Sequence, residues 1–436
     1  MDSFQMYEPV DDDLYDPPSF YIQSESVSHS SILQASFNFA NSIVGAGIIG
    51  LPYAFKQSGV CLGIFLLLFV ACLVAHTVVL LIHNGRLSGK NTYQGLVMHC
   101  YGQNGLLIIS VFQFIFAYGA MCAYTVILGD SFPSVFNSIL PETSLFHPLL
   151  TSRAFIILAC TLCISLPLSM YRDVSALSKA SAISLGMIVF IVLAVCWNVL
   201  YLTPDQLGDP ALRWTVVDTG LFEAIGVISF AFVCHHNTYL IYGSLKNPTI
   251  QRFTMVTNLS ILVSFILCLI LAFVGYQSFT NNTSANILNN FDKTNFSMNI
   301  ARVFFGMNMF LTFPMECFVC REVLFHYFLE HLYPPKTDLT KAVSTTMHSS
   351  VTIVLVLSAM VIALSTEDLG FMLELTGGFA ATVLAYILPA SCYIKLAPGS
   401  VFSMQKIPYL LIILFGIVVM VLSTFFSIVK FINKTN

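Results

Sequence analysis

The stretch Asn38-Phe-Ala-Asn-Ser-Ile-Val-Gly-Ala-Gly-Ile-Ile-Gly-Leu-Pro52 decides how this chain folds. It lies within an apolar run that is long enough to cross a lipid bilayer. Its three glycines weaken a helix, and Pro52 removes a backbone hydrogen-bond donor. Asn38, Asn41 and Ser42 place polar groups at the same depth. The pattern predicts a membrane helix that is interrupted near its midpoint.

An interrupted helix leaves backbone groups free to bind a ligand inside the membrane. The amide groups that begin the second half attract a carboxylate, and the carbonyl groups that end the first half coordinate a cation. Secondary transporters use discontinuous helices in this way at the bilayer midplane. The alternative interpretation is that small residues allow two membrane helices to pack closely. Asn41, beside the glycines, favours a binding site.

The composition places most of the chain in a membrane. Of its 436 residues, 57% are hydrophobic and 9% are charged, whereas soluble domains carry about 25% charged residues. This excludes a soluble enzyme, a nucleic-acid-binding protein and a secreted disulfide scaffold. The sequence predicts an all-α polytopic membrane protein with eleven transmembrane helices, at 32–55, 60–82, 106–129, 153–170, 177–201, 219–243, 255–279, 301–326, 347–364, 370–393 and 407–429.

Three regions follow from this pattern. Residues 1–30 are polar and acidic, and they hold too little apolar surface to offset the entropy of ordering, so we expect a disordered cytosolic tail. Residues 31–430 form the transmembrane domain, and residues 431–436 form a short C-terminus on the non-cytosolic side. The twelve cysteines show no zinc-ligand spacing, and we expect them to pack as small apolar residues, with Cys100 in a polar loop.

The loops carry two signals for orientation. Lys and Arg are more frequent in the loops on the side of the N-terminus, which predicts that this side is cytosolic. We call the opposite side the outer side. The glycosylation sequons outside the spans all fall on the outer side, and they begin at Asn281, Asn282, Asn295 and Asn433.

The sixth span should hold a second interruption if the fold is an inverted repeat. Its polar patch, Ser229 and His235-His-Asn-Thr238, lies where apolar residues would otherwise be expected, although no Gly or Pro marks a break. His235 and His236 have two interpretations. Either they hydrogen-bond inside the helix bundle, or they form a titratable gate, since histidine changes charge in mild acid.

Two further spans contain carboxylates. In the eighth span Thr312 and Glu316 lie four residues apart on one helical face, beside Pro314. A carboxylate inside a membrane is costly and needs a partner or a function. Glu316 either binds a proton or pairs with a basic group such as Arg321. Glu374, in the tenth span, is the corresponding gating or proton candidate nearer the outer side.

These segments together resemble the amino acid/auxin permease family, and within it the sodium-coupled neutral amino acid transporter branch. The resemblance covers nearly the whole chain, and it is most specific at residues 38–52 and at Leu373-Glu-Leu-Thr-Gly377. It implies a five-plus-five inverted-repeat, LeuT-like core in which helices 1 and 6 are discontinuous. Members of the branch commonly carry a disulfide between outer loops, but we find no cysteine in the loops assigned to that side.

The resemblance also implies site residues. Sodium would be held by Asn41, Val44 and Thr312, whose hard oxygen ligands suit Na⁺. The carboxylate of the substrate would be held by Gly45, Ala46 and Gly47, with Phe230 and Ala231 on the opposite wall. We expect no cofactor besides the coupling ion. Proton-coupled relatives share the broken first helix, so the fold alone does not choose between Na⁺ and H⁺.

The sequence therefore predicts an ion-coupled secondary transporter of neutral amino acids, with Na⁺ symport as the leading mechanism. The alternatives are a proton-coupled or vacuolar or lysosomal amino acid transporter, and an amino-acid sensor that uses the same fold. The motifs H-E-x-x-H and G-x-S-x-G and the phosphate loop are absent, which argues against an enzyme. Expected partners are an amino acid, the coupling cation and the lipid bilayer, without nucleic acid. We expect a monomer in the plasma membrane or in an endolysosomal or vacuolar membrane.

Overall fold

The computed structural model describes residues 30–172, 181–332 and 344–435. Within these ranges the chain is helical and has no strand, apart from an isolated bridge between Ser30 and Leu245. The predicted tail at 1–30 lies almost entirely outside the described residues. The main helices are α1 (Ile32–Val44), α2 (Ala46–Ser58), α3 (Val60–Ser88), α4 (Tyr93–Ile139), α5 (Arg153–Ser169), α6 (Ser181–Val199), α7 (Leu221–Phe232), α8 (Thr238–Ser244), α9 (Ile250–Phe279), α10 (Phe296–Leu332), α11 (Thr345–Ser365), α12 (Leu369–Leu396) and α13 (Ile407–Thr435).

The helices confirm a polytopic membrane protein. Among the described residues nine helical stretches are long and apolar enough to cross a bilayer, and the bent pair α1–α2 makes a tenth. The predicted span at 153–170 corresponds to α5, which is apolar but shorter than the others. The total of eleven spans therefore stays a prediction. The last helix runs to Thr435 and includes most of the predicted terminal segment 431–436.

Polar side chains fix where several helices begin and where one ends. Five helices begin after a residue whose side-chain oxygen accepts a hydrogen bond of 3.0–3.2 Å from the backbone amide three residues later, and these residues are Ser31, Thr92, Thr249, Ser344 and Asp368. The end of α12 is closed by the buried ammonium of Lys406, which donates to carbonyl oxygens of Ile394, Ala397 and Gly399 at 3.0, 2.7 and 3.1 Å. This lysine satisfies carbonyl groups that the helix itself leaves open.

The sixth and tenth spans form the centre of the bundle. In the most apolar stretch of the Leu221–Ser244 span 83% of the residues are buried, and in that of α12 72% are buried. The corresponding share for the last helix is 22%, so α13 lies at the periphery. α1 packs along α9, and α10 packs along α4. Functional groups on α1, α7 and α12 are therefore enclosed by protein.

The α4 helix is longer than predicted, and this corrects the expectation for Cys100. Residues 93–101 are helical and continue into the span through a kink at Gly102, whose φ is 63°. Tyr93 and Tyr101 donate hydrogen bonds of 2.7 and 2.9 Å to carbonyl oxygens of α12. Cys100 is thus buried in a helix, not placed in a polar loop. The local sequence does not indicate that Tyr93 and Tyr101 bind a distant helix, so the helical extension could not be predicted.

Candidate functional site

The first span is interrupted at the predicted position. α1 ends at Val44, Gly45 has φ −33° and ψ −137°, and α2 begins with a 3₁₀ turn at Ala46. The two helices are bent by 43° relative to each other. Among the described residues no side chain caps the amide groups that begin α2, although Ala46 and Gly47 are buried. Buried amides require a hydrogen-bond acceptor, so this position suits an anionic group of a ligand.

The two glycines of this break have different surroundings. A Cβ atom on Gly45 would meet nothing within 4 Å, so space is open beside the break. A Cβ atom on Gly47 would lie 2.5 Å from Cα and 2.7 Å from Cβ of Ala231 in α7. The structure therefore brings Gly47 and Ala231 into direct contact. Gly47 is required for the close approach of two backbones, and Gly45 faces free volume.

The sixth span is also interrupted, at Val233 and Cys234. The backbone leaves the helical region there, with ψ 122° at Val233, and a 3₁₀ turn at His235–Asn237 leads into α8. Asn237 Nδ2 donates to Ser42 Oγ at 2.8 Å, which joins the two interrupted spans. Side chains from other helices thus support a break that has no Gly or Pro of its own.

The two adjacent histidines differ in their environment. His235 is fully buried, and its Nε2 forms a hydrogen bond of 2.9 Å with Thr77 of α3, whereas its Nδ1 has no hydrogen-bond partner among the described residues. His236 instead lies 3.9 Å from Glu316 of α10 and contacts the ring of Phe116 at 5.3 Å. Phe116 also contacts Phe230 at 5.6 Å between ring centroids. His236 therefore connects the aromatic wall of the site to a buried carboxylate.

One face of α10 presents a row of polar groups. Thr312 donates to the carbonyl oxygen of Asn308 at 3.0 Å. The side-chain amide of Asn308 and Oε2 of Glu316 are buried and have no hydrogen-bond partner among the described residues. Arg321 binds Ser169 O and Thr352 Oγ1 at 3.0 Å each. The suggested pair between Glu316 and Arg321 is therefore not found, and Glu316 faces His236 instead.

The residues expected to hold sodium lie on two helices. Asn41 and Val44 are buried at the end of α1, directly before the break. Asn41 Oδ1 has no hydrogen-bond partner among the described residues. No described hydrogen bond joins either residue to Thr312, so their assembly into one cation site stays a prediction.

Comparison with known proteins decides the family. Residues 28–432 match the family described as "Transmembrane amino acid transporter protein". The chain belongs to this transmembrane amino acid transporter family. The resemblance found in the sequence is therefore confirmed, and the chain is an amino acid transporter of the multi-pass membrane class and not an enzyme.

Three relatives of this transporter illustrate the likeness. The protein named "Putative sodium-coupled neutral amino acid transporter 11" in Danio rerio is 38% identical, over 84% of this chain and 80% of the relative. The protein of the same name in Homo sapiens is 36% identical, over 84% of this chain and 87% of the relative. "Vacuolar amino acid transporter 2" of Saccharomyces cerevisiae is 37% identical over 94% of this chain and 86% of the relative. The names of these relatives include both sodium coupling and a vacuolar location.

A second polar cluster surrounds Glu374, in the half of the bundle that the sequence analysis assigns to the outer side. This carboxylate is 1% exposed, and its Oε1 accepts hydrogen bonds of 2.8 Å from Gln57 Nε2 of α2 and Lys430 Nζ of α13. Lys430 also donates to the hydroxyl of Tyr53 at 2.7 Å. The buried Oε2 of Glu223 in α7 has no hydrogen-bond partner among the described residues. We call Tyr53, Gln57, Glu374 and Lys430 the outer cluster, which links α2, α12 and α13.

The four predicted glycosylation sites differ in exposure, and their modification stays a prediction. Asn281, Asn282 and Asn433 are exposed, and Asn295 is half-buried. Asn295 Nδ2 donates to Asn198 Oδ1 at 2.7 Å, a bond that glycosylation of this nitrogen would disturb. All twelve cysteines lie in the described ranges, and none forms a disulfide.

Several site residues were missed by sequence reasoning. Asn308 could have been found, because it precedes Thr312 by four residues on the same helical face. Ser42 was noted only as a polar residue in the quoted stretch, and its bond to Asn237 depends on tertiary packing. Gln57 and Lys430 reach Glu374 from other helices, and nothing in their local sequence indicates this.

Proposed function

We propose that the protein is an ion-coupled secondary active transporter of neutral amino acids that works by alternating access with Na⁺ as the coupling ion. The observation that supports this most strongly is the interruption at Gly45, where α2 begins without a side-chain cap and a Cβ atom on Gly45 would meet nothing within 4 Å. The printed names of the relatives in Danio rerio and Homo sapiens support neutral substrates and sodium.

In this proposal the amino acid binds at the break in the first span. Its carboxylate accepts hydrogen bonds from the amide groups of Ala46 and Gly47, where the helix dipole favours negative charge. Phe230 and Ala231 form the opposite wall, which suits an uncharged side chain. Because Gly45 leaves free volume and Gly47 does not, we place the ligand on the Gly45 side.

The fold proposed for this function has eleven spans, with α5 as the shortest, and an N-terminus in the cytosol. The broken pairs α1–α2 and α7–α8 would be equivalent elements of two five-helix repeats in opposite orientation. The proposal is supported by two interruptions that both lie inside apolar spans and that are joined by the hydrogen bond from Asn237 to Ser42.

Sodium would occupy the gap between α1 and α10. Asn41 Oδ1 is buried and has no donor among the described residues, the carbonyl of Val44 ends α1, and the hydroxyl of the half-buried Thr312 bonds to the carbonyl oxygen of Asn308. These are neutral oxygen ligands of the kind that hard cations prefer. Movement of α10 relative to α1 would then open or close the ion site together with the substrate site.

Replacing Thr312 by alanine tests the sodium site. We expect the sodium concentration that gives half-maximal uptake to rise about tenfold, since one oxygen ligand is lost. Uptake of labelled neutral amino acids would be measured in vesicles in which Na⁺ is replaced stepwise by choline. Thr254→Ala is the matched control, because Thr254 Oγ1 also donates to a carbonyl four residues earlier, at 2.9 Å, but lies in α9. Equal sodium affinity in Thr312→Ala and wild type would remove Thr312 from the site.

A second candidate function is proton-coupled amino acid transport in an acidic organelle. It is favoured by the buried contact between His236 and Glu316, two titratable groups with no other ion-pair partner among the described residues. The vacuolar name of the yeast relative agrees with this setting. Either membrane is compatible with the site, so vesicles from the plasma membrane and from acidic organelles should both be assayed.

Replacing Glu316 by glutamine separates the two candidates. If protons drive transport through this pair, wild-type uptake without Na⁺ rises as the outer pH falls from about 8 to about 5.5, and the variant loses this dependence while it still exchanges amino acid across the membrane. Glu142→Gln, at an exposed position, is the control. A pH dependence that is unchanged in Glu316→Gln would exclude this carboxylate as the proton site.

A further inference from the structure

A cavity on the outer face lies apart from the central site. Its volume is about 270 Å³, slightly below the roughly 300–1,000 Å³ typical of pockets for drug-sized ligands, so it suits a smaller molecule. The residues that line it are Lys56, Gln57, Leu212, Thr215, Asp218, Thr219, Gly220, Tyr276 and Asn281. They come from the end of α2, the loop at 204–220, the end of α9 and the turn that follows.

Backbone hydrogen bonds hold the walls of this cavity in place. On one side the loop is joined to the region between α2 and α3, where Asp218 N donates to Ser58 O at 2.9 Å and Gly220 N to Gln57 O at 3.0 Å. On the other side the hydroxyl of Tyr276 donates to Leu212 O at 2.7 Å. A loop fixed at both ends presents its side chains in a constant arrangement, as a binding site needs.

The cavity contains two opposite charges that are not paired with each other. Lys56 is half-buried, and its ammonium has one described hydrogen bond, to Thr283 O at 3.1 Å. Asp218 is exposed, and its Oδ1 accepts from the backbone amide of Thr219 at 2.6 Å. Among the described residues no ion pair joins Lys56 and Asp218. An ammonium and a carboxylate that line one small cavity are complementary to a molecule with both charges.

The remaining lining is polar and does not select a side chain. Thr215, Thr219 and Tyr276 also line the cavity, and Leu212 is the one aliphatic residue in the lining. Without an apolar subsite, recognition is confined to the charged groups that all amino acids share. Gln57 lines the cavity and also donates to Glu374, so the cavity adjoins the outer cluster.

We propose that this outer cavity is a second binding site for zwitterionic amino acids, in which Lys56 binds the carboxylate and Asp218 binds the ammonium group. The choice of an amino acid as ligand rests on the proposed function. The site captures the substrate at the outer face without regard to its side chain, and selection then occurs at the central site. Because both charged groups reach solvent, binding is weak, on the order of millimolar.

Fluorescence of Trp214 tests this site directly. The chain has two tryptophans, and Trp214 lies in the loop between Leu212 and Thr215 of the cavity. The variant Trp197→Phe leaves it as the single reporter. We expect a saturable change when the purified full chain is titrated with L-alanine, and little response to propionate or ethylamine, each of which carries one of the two charges. Lys56→Gln and Asp218→Asn should each raise the half-saturating alanine concentration about tenfold.

The controls replace charged groups on the same face outside the cavity. Lys293→Gln and Asp205→Asn, both at exposed positions, should bind alanine as the parent does. A second readout is the rate at which a maleimide labels Thr219→Cys, which bound alanine should reduce. Absence of an effect in both readouts, equal binding in Lys56→Gln, or propionate binding as tight as alanine would overturn the proposal.

These measurements need no ion gradient and no transport. If uptake assays find no amino acid transport but the response of Trp214 is present, the proposed function fails and the outer site stands. If uptake is normal and both readouts are silent, the outer site fails and the proposed function stands.

Discussion

Gly47→Ala abolishes amino acid uptake, although it adds a single methyl group. The new Cβ atom would lie 2.5 Å from Cα, 2.7 Å from Cβ and 3.0 Å from the backbone nitrogen of Ala231. Backbone atoms cannot rotate away as a flexible side chain does, so α2 and α7 must separate. We expect uptake to fall below detection. The measurement is uptake of labelled neutral amino acids, normalised to the amount of protein in the membrane.

Gly186→Ala is the matched control for this substitution. Gly186 is exposed in α6, and a Cβ atom there meets nothing within 4 Å. Alanine should be neutral or slightly stabilising at this helical position. Gly47→Ala with normal uptake at normal abundance would show that α2 and α7 are not in tight contact during transport, which would contradict the packing around the break.

Lys430→Met should strongly destabilise the protein through Glu374. Removal of the ammonium leaves a carboxylate of 1% exposure without its positive partner. Breaking a buried ion pair by removing one partner costs about 3–5 kcal/mol. Because the side chain of Lys430 is 39% exposed, we expect the lower end, about 3 kcal/mol. The measurement is the midpoint of thermal unfolding and the yield of monodisperse protein in detergent.

A double substitution shows whether the loss comes from the unpaired charge. Lys430→Met combined with Glu374→Gln removes both charges, and the amide still accepts the hydrogen bond from Gln57. We expect the double variant to be more stable than Lys430→Met alone, with Lys293→Met as the control for loss of an exposed lysine. If the loss of stability in the double variant equals the sum of the losses in Lys430→Met and Glu374→Gln alone, Lys430 and Glu374 do not interact energetically. The outer cluster would then not stabilise the protein through this ion pair.

The break in the first span could be predicted because its cause is local. Three glycines, one proline and adjacent polar residues act on the backbone of their own segment, and the structure bends there by 43°. The family resemblance was equally accessible, because the motifs lie in continuous stretches. The same holds for the polar face of α10, where Thr312 and Glu316 are separated by one helical turn.

The position of the sixth-span break could not be read from its residues. Val233 and Cys234 are ordinary helix residues, and the break is supported by Ser42 and Thr77 from other helices. The partner of Glu316 was missed for the same reason, since His236 approaches from another span. Contacts between helices depend on how the bundle packs, and the periodicity or residue spacing within one segment does not predict them.

One hydrogen bond, from Asn237 to Ser42, has a mechanical consequence. It connects the interruptions of the first and sixth spans, so that a movement of one span at its break is transmitted to the other. A single bond of this kind contributes only about 0.5–1.5 kcal/mol. A contribution of this size favours a coordinated movement of the two spans without locking them together.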